Sequence, residues 1–190
     1  MVMRILITGA KGFIGKNLAF RLREKGSVDL LEFTREDAIE DLFNKVSQSD
    51  FIVHLAGENR PKDVDDFHKV NVGITQALVD AISQSGRKIP IIMSSSTQAD
   101  LDNPYGKSKS TAENLLRKFS EDTGASVLIY RLPGVFGKWS KPNYNSVVAT
   151  FCHNIANELP VAINDPAASV RLVYIDDVVE EFCRAISDMK

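Results

Sequence analysis

Tyr105 and Lys109 stand at the head of a segment whose apolar residues Ala112, Leu115, Leu116 and Phe119 recur with helical spacing. Four residues make about one helical turn, so the phenol and the ammonium share a face. A nearby positive charge favours an ionised phenol and draws a group with a reference pKa of about 10 towards neutrality. Such a pair suits proton exchange with an alcohol or ketone. Upstream, Ile91-Ile92-Met93 runs into Ser94-Ser95-Ser96-Thr97, and a hydroxyl at the end of that apolar run could hydrogen-bond the same oxygen.

A second constellation opens the chain. Gly9-Ala10-Lys11-Gly12-Phe13-Ile14-Gly15 follows the apolar run Arg4–Thr8 and precedes a helical pattern with Ile14, Leu18 and Leu22 on one stripe. In a strand–turn–helix context this G-x-x-G-x-x-G spacing predicts a dinucleotide site. The first glycine permits the turn, the second lets backbone approach a pyrophosphate, and the third allows close packing; the helix start offers free N–H groups. An acid at the end of the second strand would bind the ribose hydroxyls of NAD. Phe33 occupies that place, followed by Thr34 and Arg35, while Glu32 falls one position early and turns to the other face. An arginine there can pair with a ribose 2′-phosphate, so NADP(H) is expected, with NAD(H) as runner-up.

The elements that must carry these groups follow from period. Arg4–Thr8, Val28–Phe33, Phe51–Leu55, Ile89–Met93 and Val127–Leu132 read as strands buried on both faces. Helices are expected over Phe13–Lys25, Asp37–Val46, Val70–Ser83 and the Tyr105 segment. The link between the second strand and Phe51 looks short, as if a strand were missing there. Beyond residue 137 a polar loop precedes a helix over Val147–Asn157, a strand over Val170–Ile175 and a last helix over Asp176–Met189. Alternating strands and helices predict an α/β, Rossmann-type doubly wound parallel sheet. Residues 1–137 would form the dinucleotide-binding domain and 138–190 the start of a second lobe.

Composition narrows the function classes. Lys and Arg total 23 against 25 Asp and Glu, a net charge of −2, which gives no reason to expect nucleic acid or an acidic membrane surface as partner. No run approaches the roughly 20 apolar residues needed to span a bilayer. Cys152 and Cys183 are too far apart in sequence for a metal pair or a disulfide framework, and a reducing cytoplasm fits. His54, His68 and His153 have no metal-ligand spacing, so no metal is expected.

Through TGAKGFIG at 8–15, HLAG at 54–57, SSS at 94–96 and YGKSK at 105–109 the chain resembles the extended short-chain dehydrogenase/reductase superfamily. Through HLAGENRP at 54–61, NPYGKSK at 103–109, FGKWSKPNYNSVVATF at 136–151 and VYIDDVV at 173–179 it is similar, within that superfamily, to the capsular-polysaccharide reductases of UDP-N-acetyl-L-fucosamine synthesis. The resemblance implies NADPH-dependent reduction of the C4 ketone of a UDP-2-acetamido-2,6-dideoxy-hexos-4-ulose. It implies Ser96 as the catalytic serine, with Ser95 in reserve, Tyr105 as proton donor, and Lys109 lowering the phenol pKa while holding the nicotinamide ribose. Leu55, Ala56 and Gly57 would line the adenosine side and Pro133 would press on the nicotinamide. Asn71 matches an asparagine that steadies this region in relatives, although a helix-end hydrogen bond explains it equally well. Relatives often pair two copies through the helices here expected at Val70–Ser83 and Gly106–Phe119, so a homodimer is expected.

Some features depart from the pattern. Gly134 stands where relatives often carry a sugar-nucleotide asparagine, and Arg171 is one position out of register with another family arginine. Substrate contacts are therefore sought at Asn59, Lys141, Asn143 and Asn145. Relatives also continue further to complete a sugar-nucleotide lobe, so a fragment with an incomplete substrate pocket is expected. A 4,6-dehydratase would want an acidic pair where Thr97-Gln98-Ala99 follows Ser96, and a 4-epimerase would want an acid at Phe33. A nucleotide-sugar 4-epimerase and a non-catalytic NAD(P)-binding module remain the alternatives.

Overall fold

A computed structural model describes residues 2–163 and 165–189. Five parallel strands form the central sheet: β1 (Met3–Thr8), β2 (Val28–Phe33), β3 (Phe51–His54), β4 (Ile91–Ser96) and β5 (Val127–Leu132), in the order β2-β1-β3-β4-β5. The apolar runs are continuous because both faces of the sheet are covered. Strand alternation divides them between two cores. Ile5, Ile7, Phe51, Val53 and Ile92 face α1 (Phe13–Lys25) and α7 (Ile175–Asp188). Leu6, Ile52, Ile91 and Met93 face α2 (Ile39–Gln48), α4 (Gly73–Ser85) and α5 (Pro104–Thr123).

No strand is missing before Phe51. The single helix α2 crosses over β1 and carries the chain from the edge strand β2 to β3 on the other side of β1. The connections from β1 to β2 and from β2 to β3 therefore run in opposite directions along the sheet. The C-terminal ends of β1 and β3 flank the crevice where ligands of open α/β sheets bind. β4 starts two residues later than its apolar pattern suggests and continues to Ser96, because Ser94, Ser95 and Ser96 pair with Tyr130, Arg131 and Leu132 of β5. Serine has weak intrinsic strand preference, and the ladder overrides it.

Before α4 the chain passes through the short helix α3 (Asp65–Phe67) and a π-helical turn, His68–Val72. The helix expected from Val70 thus becomes regular only at Gly73. Beyond β5, β6 (Gly134–Phe136) pairs with β7 (Leu172–Tyr174) in a separate two-stranded parallel sheet, with α6 (Val147–Ala156) between them in sequence. α6 buries none of its residues. In contrast α7, within the span assigned to the second lobe, returns to the main sheet and buries Ile175, Val178, Val179, Phe182, Cys183, Ala185 and Ile186. No helix among the described residues is long and apolar enough to cross a membrane.

Phe182 is fully buried, with its ring 5.2 Å from that of Tyr130. Replacing it by alanine removes a large side chain from a close-packed site and should destabilise the chain by about 3–5 kcal/mol. Urea unfolding measures this; a loss below about 1 kcal/mol would show that α7 is not part of the cooperative core.

Candidate active site

The glycine loop owes its shape to contacts that only small residues permit. Gly9 has φ +71°, donates from its N–H to Phe33 O at 2.8 Å, and lies so close to the end of β3 that a Cβ would come within 2.8 Å of Ala56 N. A Cβ on Gly15 would come 2.4 Å from Gly9 O. Gly12, at the N-cap of α1, supplies no side chain to occupy the N–H groups of the first turn, and that turn has no acidic residue. A diphosphate fits this arrangement, because the unpaired N–H groups and the positive end of the helix dipole both face it. Around the rim, Lys11 is ion-paired with Glu36, Thr34 donates to Asp37 from its N–H (2.7 Å) and hydroxyl (2.8 Å), and Arg35 is exposed and lines the cleft. Glu32 is turned away onto Arg23.

Tyr105 and Lys109 are placed by the way α5 begins. Asn103 caps it by accepting the Gly106 N–H at 2.7 Å, and Pro104 occupies the first turn, where its missing N–H costs nothing. The helix face then docks on the serine end of β4. Ser96, whose hydroxyl accepts the Gln98 N–H at 3.2 Å, borders the cleft with Tyr105 and favours the ionised phenol, and Lys109 Nζ donates to Ser94 O at 2.9 Å. Ser95, by strand parity on the α5 side, is buried with its hydroxyl donated to Glu113 at 2.5 Å. The reserve serine is thus committed elsewhere, and Ser96 is the hydroxyl beside Tyr105.

One electrostatic expectation is corrected. In the protein alone the Tyr105 phenol lies above its ordinary pKa, because burial, in part against Phe67, outweighs the opposing influence of Ser96. Lys109 itself is pushed down to about 8 by burial, against the opposing influence of Glu113.

Two buried polar residues that spacing rules do not flag as catalytic hold these pieces together. Asn71, on the π-helical turn, accepts the Glu58 N–H at 2.7 Å and donates to Glu58 O at 3.0 Å and to Ser108 Oγ at 2.9 Å. It thereby clamps the loop after β3 to α5. Gly57 must be small here, since a Cβ would come 2.9 Å from Asn71 Oδ1. His54 Nδ1 lies 2.8 Å from Thr8 Oγ1 and Nε2 lies 2.9 Å from Thr75 Oγ1. Thr75 donates its proton to Asn71 O at 2.7 Å, so it accepts from His54 Nε2–H. Nδ1 must then accept from Thr8, whose oxygen in turn receives the N–H groups of Leu55 and Ala56, each at 3.2 Å. This chain fixes a neutral Nε2–H imidazole that links the glycine loop to the Asn71 clamp. The motif HLAG at 54–57 was its only trace in the sequence.

The site opens into one cleft of about 1350 Å³, which the buried His54 and Asn71 support from behind without lining it. The glycine loop, Leu55, Ala56, Gly57, Ser96, Tyr105, Lys109 and Pro133 border it. Of the substrate candidates, Asn59, Lys141 and Asn145 also do. Asn143 is absent from the cleft lining: it is exposed at φ +54°, with its N–H turned to Thr150 Oγ1 at 2.9 Å. Gly134 lines the cleft, whereas Arg171 does not and uses its carbonyl to accept the Gly134 N–H at 3.2 Å. Two aromatic residues not singled out from sequence shape the mouth. Tyr144 donates to Asn59 Oδ1 at 3.1 Å. Trp139 packs edge-on against Phe20 at 5.9 Å, with Lys138 Nζ 4.2 Å from the Trp139 ring centroid.

Residues 5–190 match the model of the NAD dependent epimerase/dehydratase family. The chain belongs to that family. It is 50% identical over 184 residues to UDP-2-acetamido-2,6-beta-L-arabino-hexul-4-ose reductase of Pseudomonas aeruginosa, an alignment that covers 97% of this chain and 50% of that protein. Among solved structures it is similar to the capsular polysaccharide assembling protein CapF of Staphylococcus aureus, with TM-score 0.88 and 46% identity over 97% of this chain and 50% of that one. The UDP-glucuronic acid 4-epimerase of Bacillus cereus in complex with NAD shares the fold, with TM-score 0.86 at 21% identity over 97% of this chain and 74% of that one. The chain thus spans about half the length of the reductase and of CapF.

The buried imidazole gives the family scaffold a pH dependence. Burial, with Lys109 nearby, depresses His54 from 6.5 to about 3. Between those values the unfolded chain binds a proton that the native state refuses, so stability present above pH 6.5 is lost as pH falls, with a slope approaching about 1.4 kcal/mol per unit. Urea midpoints from pH 7 to 4.5 should show this slope, and His54→Gln should remove about that much of it. Parallel curves for the two proteins would exclude the buried neutral imidazole.

Proposed function

We propose that this chain binds NADP(H) in the cleft and takes part in reducing the C4 ketone of a UDP-2-acetamido-2,6-dideoxy-hexos-4-ulose during synthesis of a surface-polysaccharide precursor. The observation that carries the reading is the meeting of Ser96, Tyr105 and Lys109 in the cleft that also contains the glycine loop, in a chain half identical to a reductase of that substrate class. Residues 1–137 are read as the dinucleotide-binding part and 138–190 as the opening of a sugar-nucleotide lobe whose last helix, α7, returns to the sheet. A cytoplasmic homodimer paired through α4 and α5 completes the proposal on resemblance.

The mechanism follows from the side chains. Bound nicotinamide would supply a hydride to the ketone carbon. Tyr105 gives its proton to the ketone oxygen as negative charge develops there, and Ser96 Oγ–H holds the same oxygen. The raised phenol pKa suits this direction, since a reduction needs a donor that still carries its proton. The Lys109 ammonium offsets the charge left on the phenolate and can hold the ribose hydroxyls. Asn59, Lys141 and Asn145, with Tyr144, are placed to meet the nucleotide sugar at the mouth.

Cofactor choice rests on the end of β2. Phe33 offers no carboxylate to ribose hydroxyls, Glu32 is engaged by Arg23, and Arg35 stands exposed at the cleft, where a 2′-phosphate would meet it. Arg35→Ala should weaken NADPH about tenfold or more by fluorescence titration while leaving NADH within about twofold. Equal losses would remove the phosphate assignment. Tyr105→Phe should lower kcat at least about 100-fold with NADPH affinity nearly unchanged. An undiminished rate would leave the non-catalytic binding module as the better reading.

A further inference from the structure

Glu32, Glu36 and Asp37 follow closely on one another at the end of β2, the stretch where an acid would decide the coenzyme. Two of these carboxylates are withdrawn from the cleft. Glu32 is turned onto Arg23. Asp37 is folded back into its own loop, where Oδ2 accepts the Thr34 N–H at 2.7 Å and the Thr34 hydroxyl at 2.8 Å, and Oδ1 accepts from Lys45 Nζ at 2.7 Å. The Lys45 and Thr34 contacts hold the Asp37 carboxyl down at about 2, so its charge is spent inside the loop.

Glu36 is placed differently. The Asp37 N–H donates to Thr34 O at 3.2 Å, which closes a turn with Arg35 and Glu36 at its centre, and both of these line the cleft. Arg35 is exposed at the rim, whereas Glu36 reaches over to the glycine loop and pairs with Lys11, which lines the cleft as well. Two cations and one anion thus meet where the ribose of a bound adenosine would lie. A tie between the two loops does not need the ion pair, because the Gly9 N–H already donates to Phe33 O at 2.8 Å beneath it. The pair is also poorly shielded from water, with the Lys11 side chain 59% and the Glu36 side chain 69% exposed. Exposed ion pairs add little to stability and are readily exchanged.

The two coenzymes would treat this pair unequally. A ribose 2′-phosphate carries more negative charge than one carboxylate and offers Lys11 a stronger partner. A ribose 2′-hydroxyl offers no charge and leaves Lys11 with Glu36. We infer that Glu36 is a specificity-determining residue of the coenzyme site, which competes with the 2′-phosphate of NADP(H) for Lys11 and so weakens the preference that Lys11 and Arg35 would otherwise give. This rests on the coenzyme reading above. Binding of NADP(H) exchanges the partner of Lys11 and leaves the Glu36 carboxylate beside a second anion, while binding of NAD(H) keeps the pair as it is. The acid missing at Phe33 is in effect supplied from the loop, acting on a cation in place of the ribose.

The test is fluorescence titration of the full chain with NADPH and with NADH, for the parent, Glu36→Gln, Lys11→Met and the double variant. Glu36→Gln should tighten NADPH about fivefold and change NADH by less than about twofold. Lys11→Met should weaken NADPH about fivefold, and in that background Glu36→Gln should gain less than about twofold, because the contested cation is gone. Unchanged or weakened NADPH binding in Glu36→Gln, an equal gain for NADH, or an undiminished gain without Lys11 would each overturn the inference. Both side chains are exposed, so the variants should unfold at the parent's urea midpoint, and the readout needs no turnover. A parent that does not bind NADPH, or an Arg35→Ala variant that loses both coenzymes equally, would bring down the coenzyme reading itself. A parent that meets both conditions, with no gain in Glu36→Gln, would bring down the role of Glu36 alone.

Discussion

The seating of α5 on the end of β4 is the contact on which the candidate site depends. Three consecutive serines meet three side chains spaced one helical turn apart: Ser96 with Tyr105, Ser94 O with Lys109, and Ser95 with Glu113. A strand advances about 3.3 Å per residue and a helix about 5.4 Å per turn, so the two spacings do not match. The contacts also leave strand order, because Ser94 is met through its backbone carbonyl and Ser95 and Ser96 carry hydroxyls on opposite faces of β4. The phenol, the ammonium and the hydroxyl then occupy one small volume without any of them lying on a flexible loop.

The glycine loop and the loop after β3 impose the second constraint. Gly9 and Gly15 let α1 start against the sheet, and the Thr8–His54–Thr75–Asn71 chain transmits that position to α4 and, through Ser108, to α5. The end of β1 that opens the glycine loop and the start of α5 that carries Tyr105 are thus joined by one buried hydrogen-bond network. Every member is satisfied, and among the described residues no buried side-chain donor or acceptor lacks a partner. Such networks favour a single arrangement, because any alternative strands a polar group away from water.

The substrate side is built differently. Residues 138–145 cross the mouth from the Phe20–Trp139 contact to the Tyr144–Asn59 hydrogen bond, and α6 beyond them buries no residue. Its anchors are aromatic contacts and exposed hydrogen bonds in place of a packed core. On the proposed function, affinity for a cofactor and selection among nucleotide sugars fall to parts of the molecule that are unequally packed.

Much of this was legible in the residue order. Uninterrupted apolar runs divided by helical stripes and glycine stops determine a parallel α/β sheet, because only that layering buries both faces of such strands. The G-x-x-G-x-x-G loop after Thr8 and the Tyr105–Lys109 spacing locate two halves of a site, since each depends on chemistry that is local in the chain. Tertiary structure alone decided which serine faces the phenol, that burial raises Tyr105, that Asn143 turns from the cleft, and that His54 and Glu113 belong to its support. Those outcomes depend on which groups long-range packing brings together and shuts off from water, and neither neighbours distant in sequence nor their shared dielectric can be read from spacing along one chain.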